Sequence, residues 1–273
     1  MYYMDSEGEF WDEVSNKKLN KNGVIAATLE EIKQVHSHGV YEKVTLEECW
    51  NQTGKAPIKT KWVDINKGDE LNEELRSRLV AKEIKTDKRT DLFAATPPLE
   101  AKKILFSLAV TEGVGYTRGE EHSGMKLDFI DISRAYFQAD AIRNVYVALP
   151  EEDATPGMCG KLMKSMYGTR DAAQNWGEAY SAFMKEIGFV RGISSPCVFW
   201  NPSRQLRCVV HGDDFTILGW EKELDWFWKE IKRRFESKHR GRLGPSEGDK
   251  KEIRILNRIL EWTKEGILYE GDQ

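Results

Sequence analysis

Apolar residues recur along this chain with two different periods, and the changes of period mark out its elements. Spacing at three and four residues predicts a helix, while alternation or a short apolar run predicts a strand. Over 171–187, Ala172, Ala173, Trp176, Tyr180, Phe183, Met184 and Ile187 recur at helical intervals, and Gly188 stands where a helix would end. Leu224, Phe227, Trp228, Ile231 and Phe235 give a second helix over 221–235. After the break at Pro97-Pro98, Leu99, Ile104, Leu105, Leu108 and Ala109 give a third over 99–110. Thr28-x-x-Glu31 and Thr45-x-x-Glu48 fit the capping-box pattern and predict two short helices flanking Gly39.

Strand patterns fill the intervals. Segments 59–65 and 76–84 predict a hairpin closed by the polar turn 66–74, with a basic second strand. Segment 125–132 (MKLDFIDI) is a strand, 145–149 an alternating strand stopped by Pro150, and 162–167 a short run ending at Gly168. Segment 206–218 (LRCVVHGDDFTIL) is an apolar hairpin, and Ile253, Ile255, Asn257 and Ile259 alternate before Lys264-Glu265-Gly266 turns the chain into 267–269. Antiparallel hairpins mixed with separate helices predict an α+β fold, not a doubly wound sheet. Residues 1–24 lack a sustained period and read as an acidic flexible arm.

Composition narrows the function classes. A chain of 273 residues can bury a large core, so it need not lean on disulfides. Its four cysteines, Cys49, Cys159, Cys197 and Cys208, have no metal-site spacing and read as reduced thiols of an intracellular protein, cytoplasmic or nuclear. No basic segment followed by an apolar one opens the chain, and no apolar run approaches the ~20 residues of a membrane span. No membrane partner is expected. The Asn51-Gln52-Thr53 sequon reads as a polar loop.

The formal net charge of −4 argues against a simple nucleic-acid binder. However, Asp5, Glu7, Glu9, Asp12 and Glu13 of the first fifteen residues outweigh that whole balance. Cations gather in two blocks: Arg76, Arg78, Lys82, Lys85, Lys88 and Arg89, then Lys229, Lys232, Arg233, Arg234, Lys238, Arg240 and Arg242. Each block alone reads more readily as a solvated face than as a phosphate site.

The candidate chemistry is carboxylate chemistry. Asp213 and Asp214 sit at the tip of the 206–218 hairpin, and Asp131 ends the 125–132 strand far upstream, so only tertiary folding could gather the three. A Gly-Asp-Asp turn by itself is ordinary backbone chemistry. Three converging carboxylates are something else: hard oxygen ligands for Mg²⁺ or Mn²⁺, as metal-assisted phosphoryl transfer needs.

The segments Arg78 to Lys82 (RLVAK), Asp131 to Tyr136 (DISRAY), Val145 to Val147 (VYV), Lys161 to Gly168 (KLMKSMYG), Trp176, and His211 to Asp214 (HGDD) occur in one order. In that order they resemble the reverse transcriptase of Ty1/copia-type LTR retrotransposons, over about 59–269. The resemblance implies an RNA-directed DNA polymerase with fingers at about 45–98 and palm at about 99–273. It implies Mg²⁺ as cofactor, a deoxynucleotide (dNTP) substrate, and an RNA or DNA template with primer. Other segments of a retrotransposon polyprotein are implied as partners.

Residue by residue, the resemblance makes Asp131, Asp213 and Asp214 the catalytic metal-site carboxylates, with Asp131 and Asp213 expected to ligate the metals directly and Asp214 to tune charge and share coordination. Tyr136 corresponds to the aromatic floor of the nucleotide pocket, and the backbone amides after Asp131, starting with Ile132, to a triphosphate cradle. Lys67, Arg78 and Lys82 correspond to basic fingers positions, each equally readable as solvated surface. His211 and Gly212 occupy the turn that faces primer and template. Asp171 stands where the family carries Gln, a carboxylate that would repel phosphate unless it turns away, and Gln174 lies nearly one helical turn on. His211 replaces the family's Tyr. The chain stops at Gln273 after what reads as the last palm hairpin, so the thumb is expected to be absent or truncated. Two other readings compete: a catalytically inactive remnant that binds nucleic acid, and a nucleotide cyclase on a related palm. An α+β domain with a decorative acidic turn is the plainest alternative.

Overall fold

The computed structural model describes residues 9–69, 71–84, 92, 94–255 and 258–271. Its elements run β1 (Phe10–Trp11), β2 (Lys18–Leu19), α1 (Lys21–Ser37), β3 (Tyr41–Thr45), α2 (Leu46–Thr53), β4 (Thr60–Asn66), β5 (Leu75–Ala81), α3 (Leu99–Ala109) and β6 (Lys126–Ile132). They continue with β7 (Tyr146–Val147), β8 (Met158–Leu162), α4 (Ala172–Glu186), β9 (Val190–Arg191), β10 (Val198–Asn201), β11 (Leu206–His211) and β12 (Asp214–Gly219). The last are α5 (Glu221–Arg234), β13 (Ser237–Leu243), β14 (Glu252–Ile255), β15 (Arg258–Trp262) and β16 (Ile267–Gly271). Helices and antiparallel sheets are mixed as the α+β expectation requires. No described helix is long and apolar enough to cross a membrane.

Two compact units share the chain discontinuously, the first from residues 1–93 and 136–176, the second from 94–135 and 177–273. In the first, β3, β8 and β7 form one antiparallel sheet and β4 and β5 another. Leu79, Phe137, Val147, Leu162 and Met166 are buried together with Val35 of α1. Part of the basic block that follows β5, Lys85, Lys88 and Arg89, lies outside the described residues.

The arm is a correction. From residue 9 onward it is packed, because β1 pairs with β2 and Phe10, Leu19 and Val24 form a small buried cluster. Asp12, only 3% exposed, pins this turn: its carboxylate accepts hydrogen bonds from the amides of Val14 and Ser15 and, at the end of β4, of Asn66. Three apolar anchors and one capping acid are too sparse to make a period, which is why the segment read as unstructured. The first capping pattern fails for a related reason. Thr28 and Glu31 lie buried in the middle of α1, whose cap is Asn20, accepting from the Gly23 amide. The second holds, since Thr45 caps α2 through the Glu48 amide.

The second unit is built on a six-stranded antiparallel sheet in the order β13-β6-β12-β11-β10-β9. Side chains alternate across it. Leu127, Phe129, Val209, Leu218 and Leu243 face α3, where Leu105, Phe106 and Ala109 close the core together with Ile253 and Leu260 of the β14-β15-β16 sheet. On the other face Tyr180 of α4 meets Phe199 and Phe215 edge-on, and α5 buries Leu224, Phe227 and Ile231. All four cysteines are buried and form no disulfide, two in each unit.

Candidate metal centre

The sheet register assembles the acidic site. The β11–β12 hairpin turns through Gly212 and Asp213, with His211 opposite Asp214. Gly212 has φ +64° and Asp213 does not share the left-handed conformation, as a two-residue type II′ turn requires. This puts Asp213 at the tip and Asp214 at the first position of β12. There Asp214 pairs directly with Asp131, the penultimate residue of β6. One carboxylate oxygen from each of Asp131, Asp213 and Asp214 lies within 4.8 Å of the others. Among the described residues this is the one cluster of three or more metal-capable side chains so close together.

Electrostatics there are unfavourable without a cation. Like charges directly opposite each other in a sheet destabilise it. Burial and then the Asp213 carboxylate push the Asp214 carboxyl up to about 6, with Asp131 adding to the effect and Lys102 and Arg240 opposing it. Lys102 projects from α3, is 4% exposed, and its ammonium has no hydrogen-bond partner among the described residues. Burial lowers its pKa, while Asp214 pulls the other way. Arg240 of β13 places Nη2 at 2.9 Å from Asp131 Oδ1. At the hairpin, burial and Lys102 lower the His211 pKa against Asp213.

The residues fit a hard divalent ion. Every donor is a carboxylate oxygen, no thiol or imidazole joins the cluster among the described residues, and a protein cation already stands against one of the oxygens. On the opposite face of β6, Asp128 is fully buried and spoken for. Arg242 grips it through Nε and Nη2 at 2.6 and 2.9 Å, and His239 Nε2 lies at 3.0 Å. Burial raises the Asp128 pKa, but these partners overcome that and hold it below the usual carboxylate range. Strand alternation thus separates a structural carboxylate from the candidate ligands.

The remaining sequence candidates fall as follows. The Ile132 amide donates to Asp213 O at 2.9 Å and the Ser133 amide to Glu236 O at 2.9 Å. In the first unit, the Tyr136 ring lies 4.7 Å from that of Tyr167, over which the Arg78 guanidinium stacks at 4.8 Å. Lys67, in the β4–β5 turn, and Lys82, just past β5, are exposed. Asp171 is buried beside the start of α4, and its two oxygens take Arg143 Nε and Nη2, both at 2.9 Å. Arg143 also binds Glu83 at 2.5 Å. Gln174 is half-buried on α4.

Sequence reading missed Lys102 and the special place of Arg240. Lys102 could have been found, because it falls on the same helical stripe as Leu105, Phe106 and Ala109. For Arg240 the signal was the glycine after it, since a glycine inside a strand often marks a bulge.

A family model described as reverse transcriptase (RNA-dependent DNA polymerase) matches residues 43–246. The retrovirus-related Pol polyprotein from transposon TNT 1-94 of Nicotiana tabacum is 27% identical over 255 residues, which cover 89% of this chain and 18% of that polyprotein. The chain therefore spans less than a fifth of that curated relative's length. Two structures with double-stranded DNA, of the foamy viral protease-reverse transcriptase dRH and of the foamy viral protease-reverse transcriptase, align at 12% identity with TM-scores of 0.47 and 0.45. Each alignment covers 90% of this chain, and 35% and 41% of the respective neighbours.

Proposed function

Because the chain belongs to the reverse transcriptase (RNA-dependent DNA polymerase) family, we propose that it extends a primer 3′-hydroxyl with deoxynucleotides on an RNA or DNA template. The carrying observation is the register that sets Asp131 against Asp214 and brings Asp213 to the same point. These three residues would hold Mg²⁺ or Mn²⁺. When bound, the metal neutralises charge on the attacking oxygen, the leaving oxygen and the phosphate.

The protein's own contribution is position. The β11–β12 turn fixes Asp213, and pairing of β12 with β6 fixes the other two carboxylates, so no loop has to close to form the donor set. Tyr136, backed by Tyr167 and Arg78, is the proposed platform for the nucleotide sugar. Lys67 and Lys82 present exposed ammonium groups suited to the triphosphate. The amides of Ile132 and Ser133 are engaged inside the protein, so Arg78, Lys67 and Lys82 are the proposed phosphate contacts. His211 and Gly212 carry the template–primer face of the site, with Gln174 as a further template contact. Since Arg143 takes both Asp171 oxygens, the charge of that carboxylate is answered inside the protein.

The test is extension of an oligo(dT) primer on RNA with Mg²⁺, then Mn²⁺, with Asp213→Asn as the blank. Extension by the wild type that falls at least about 100-fold in the variant is the expected result. No extension, with salt-sensitive binding of the same duplex, would overturn the catalytic reading in favour of a nucleic-acid-binding remnant.

A further inference from the structure

Strand β13 carries a defect whose effect is to aim one side chain. It runs antiparallel to β6, with Ser237 opposite Ile132, Lys238 opposite Asp131 and His239 opposite Ile130. The next pair is Gly241 with Phe129, then Arg242 with Asp128. Arg240 has no partner residue, so it is the extra residue of a β-bulge. Without the bulge His239 and Arg242, three apart, would face opposite sides of the sheet; with it both reach Asp128. Arg240 points the other way, to Asp131.

The bulge is built in. Gly241 adopts φ +151°, where a side chain is disfavoured, and a Cβ there would lie 2.7 Å from Lys250 Cδ. Lys250 buttresses the kink twice, through Nζ to Arg240 O and its amide to Arg242 O, both at 2.9 Å. The guanidinium at the end of this support is half in solvent, its side chain 51% exposed, and meets Asp131 through a single bond at 2.9 Å. A side chain so placed is held at its base and free to leave at its head. It also answers more than one acid, because Asp214 and Asp213 reinforce Asp131 in keeping it charged.

We propose that Arg240 is a built-in counter-cation, a positioning residue that occupies the Asp131 oxygen in the metal-free protein and must be displaced for a divalent ion to load. This rests on the reading of the triad as a metal site. It explains how two carboxylates can face each other across paired strands before any ion arrives. Arg240 then sets a threshold: the ion binds more weakly than to the bare triad, and a polyphosphate that drew the guanidinium away would tighten it.

The experiment is Mn²⁺ binding, read from the loss of the free-ion electron paramagnetic resonance signal, without nucleotide or template. Wild type, Arg240→Gln, Arg240→Lys, Lys238→Gln and Asp213→Asn are compared at two salt concentrations, after thermal melts confirm folding. Arg240→Gln should bind Mn²⁺ about 5-fold more tightly than wild type, as expected for losing a half-exposed charge-assisted hydrogen bond. Arg240→Lys should fall between, because its ammonium keeps the charge without the planar fork. Lys238→Gln removes a charge at the position opposite Asp131 and controls for the general field, which salt screens. An equal gain in Lys238→Gln, or none in Arg240→Gln while Asp213→Asn still abolishes binding, would overturn the counter-cation and leave the metal site standing. No binding in wild type or in Arg240→Gln would overturn both.

Discussion

Arg143 shows at the scale of one residue how the protein tolerates a carboxylate at position 171. Asp171 is 7% exposed, and a buried ionised group costs several kcal/mol unless paired. Burial alone would raise its pKa; the bidentate Arg143 contact brings it below the ordinary range instead. Arg143→Met should therefore lose about 3 kcal/mol in urea unfolding at pH 7 by stranding Asp171 and Glu83. The sign with pH follows from the depressed carboxyl: its contribution is present above the unfolded-state value and lost as pH falls through the folded one. Thus the gap between wild type and variant should narrow below about pH 4. A gap that stays constant to pH 3 would mean Asp171 is not the partner that matters. The need for such a partner was legible in the sequence as a misplaced acid, but the identity of Arg143, 28 positions upstream, was not.

At the scale of elements, what could be read depended on whether the stabilising contacts are periodic. α3, α4 and α5 and the β11–β12 hairpin carry apolar stripes or alternation, and all four lie where those patterns put them. β13 (SKHRGRL) read as part of a basic surface, because its charged residues are held by acids: Arg242 and His239 on Asp128, and Arg240 on Asp131. The three aspartates stood out because they interrupt apolar strands; the cation set against them depends on register and a bulge. Gly241→Ala tests that bulge. It should cost about 1–2 kcal/mol by chemical denaturation, from the disfavoured φ and the approach to Lys250. An unchanged midpoint would show that β13 can pair without the kink.

The whole molecule is interleaved, and this is where the linear partition at about residue 98 departs from the contacts. The copia-type resemblance is borne out by the family match and the tobacco transposon relative, but resemblance follows chain order while packing does not. The first unit draws β3 from one chain segment and β7 and β8 from another. A fragment ending at residue 98 keeps β3 and loses both other strands of its sheet. It should show no cooperative thermal transition by circular dichroism, whereas residues 1–273 should show one. A sharp transition in the fragment would mean that β4, β5 and α1 suffice as a core.

The four cysteines, two in each unit, are all shut away from solvent, and burial pushes the thiols of Cys197 and Cys159 up, the latter to about 11. Thiol chemistry runs through the thiolate and needs access. The folded molecule should consequently react slowly with maleimides, and a single cysteine placed on an exposed loop could carry a fluorophore without first stripping out the native four.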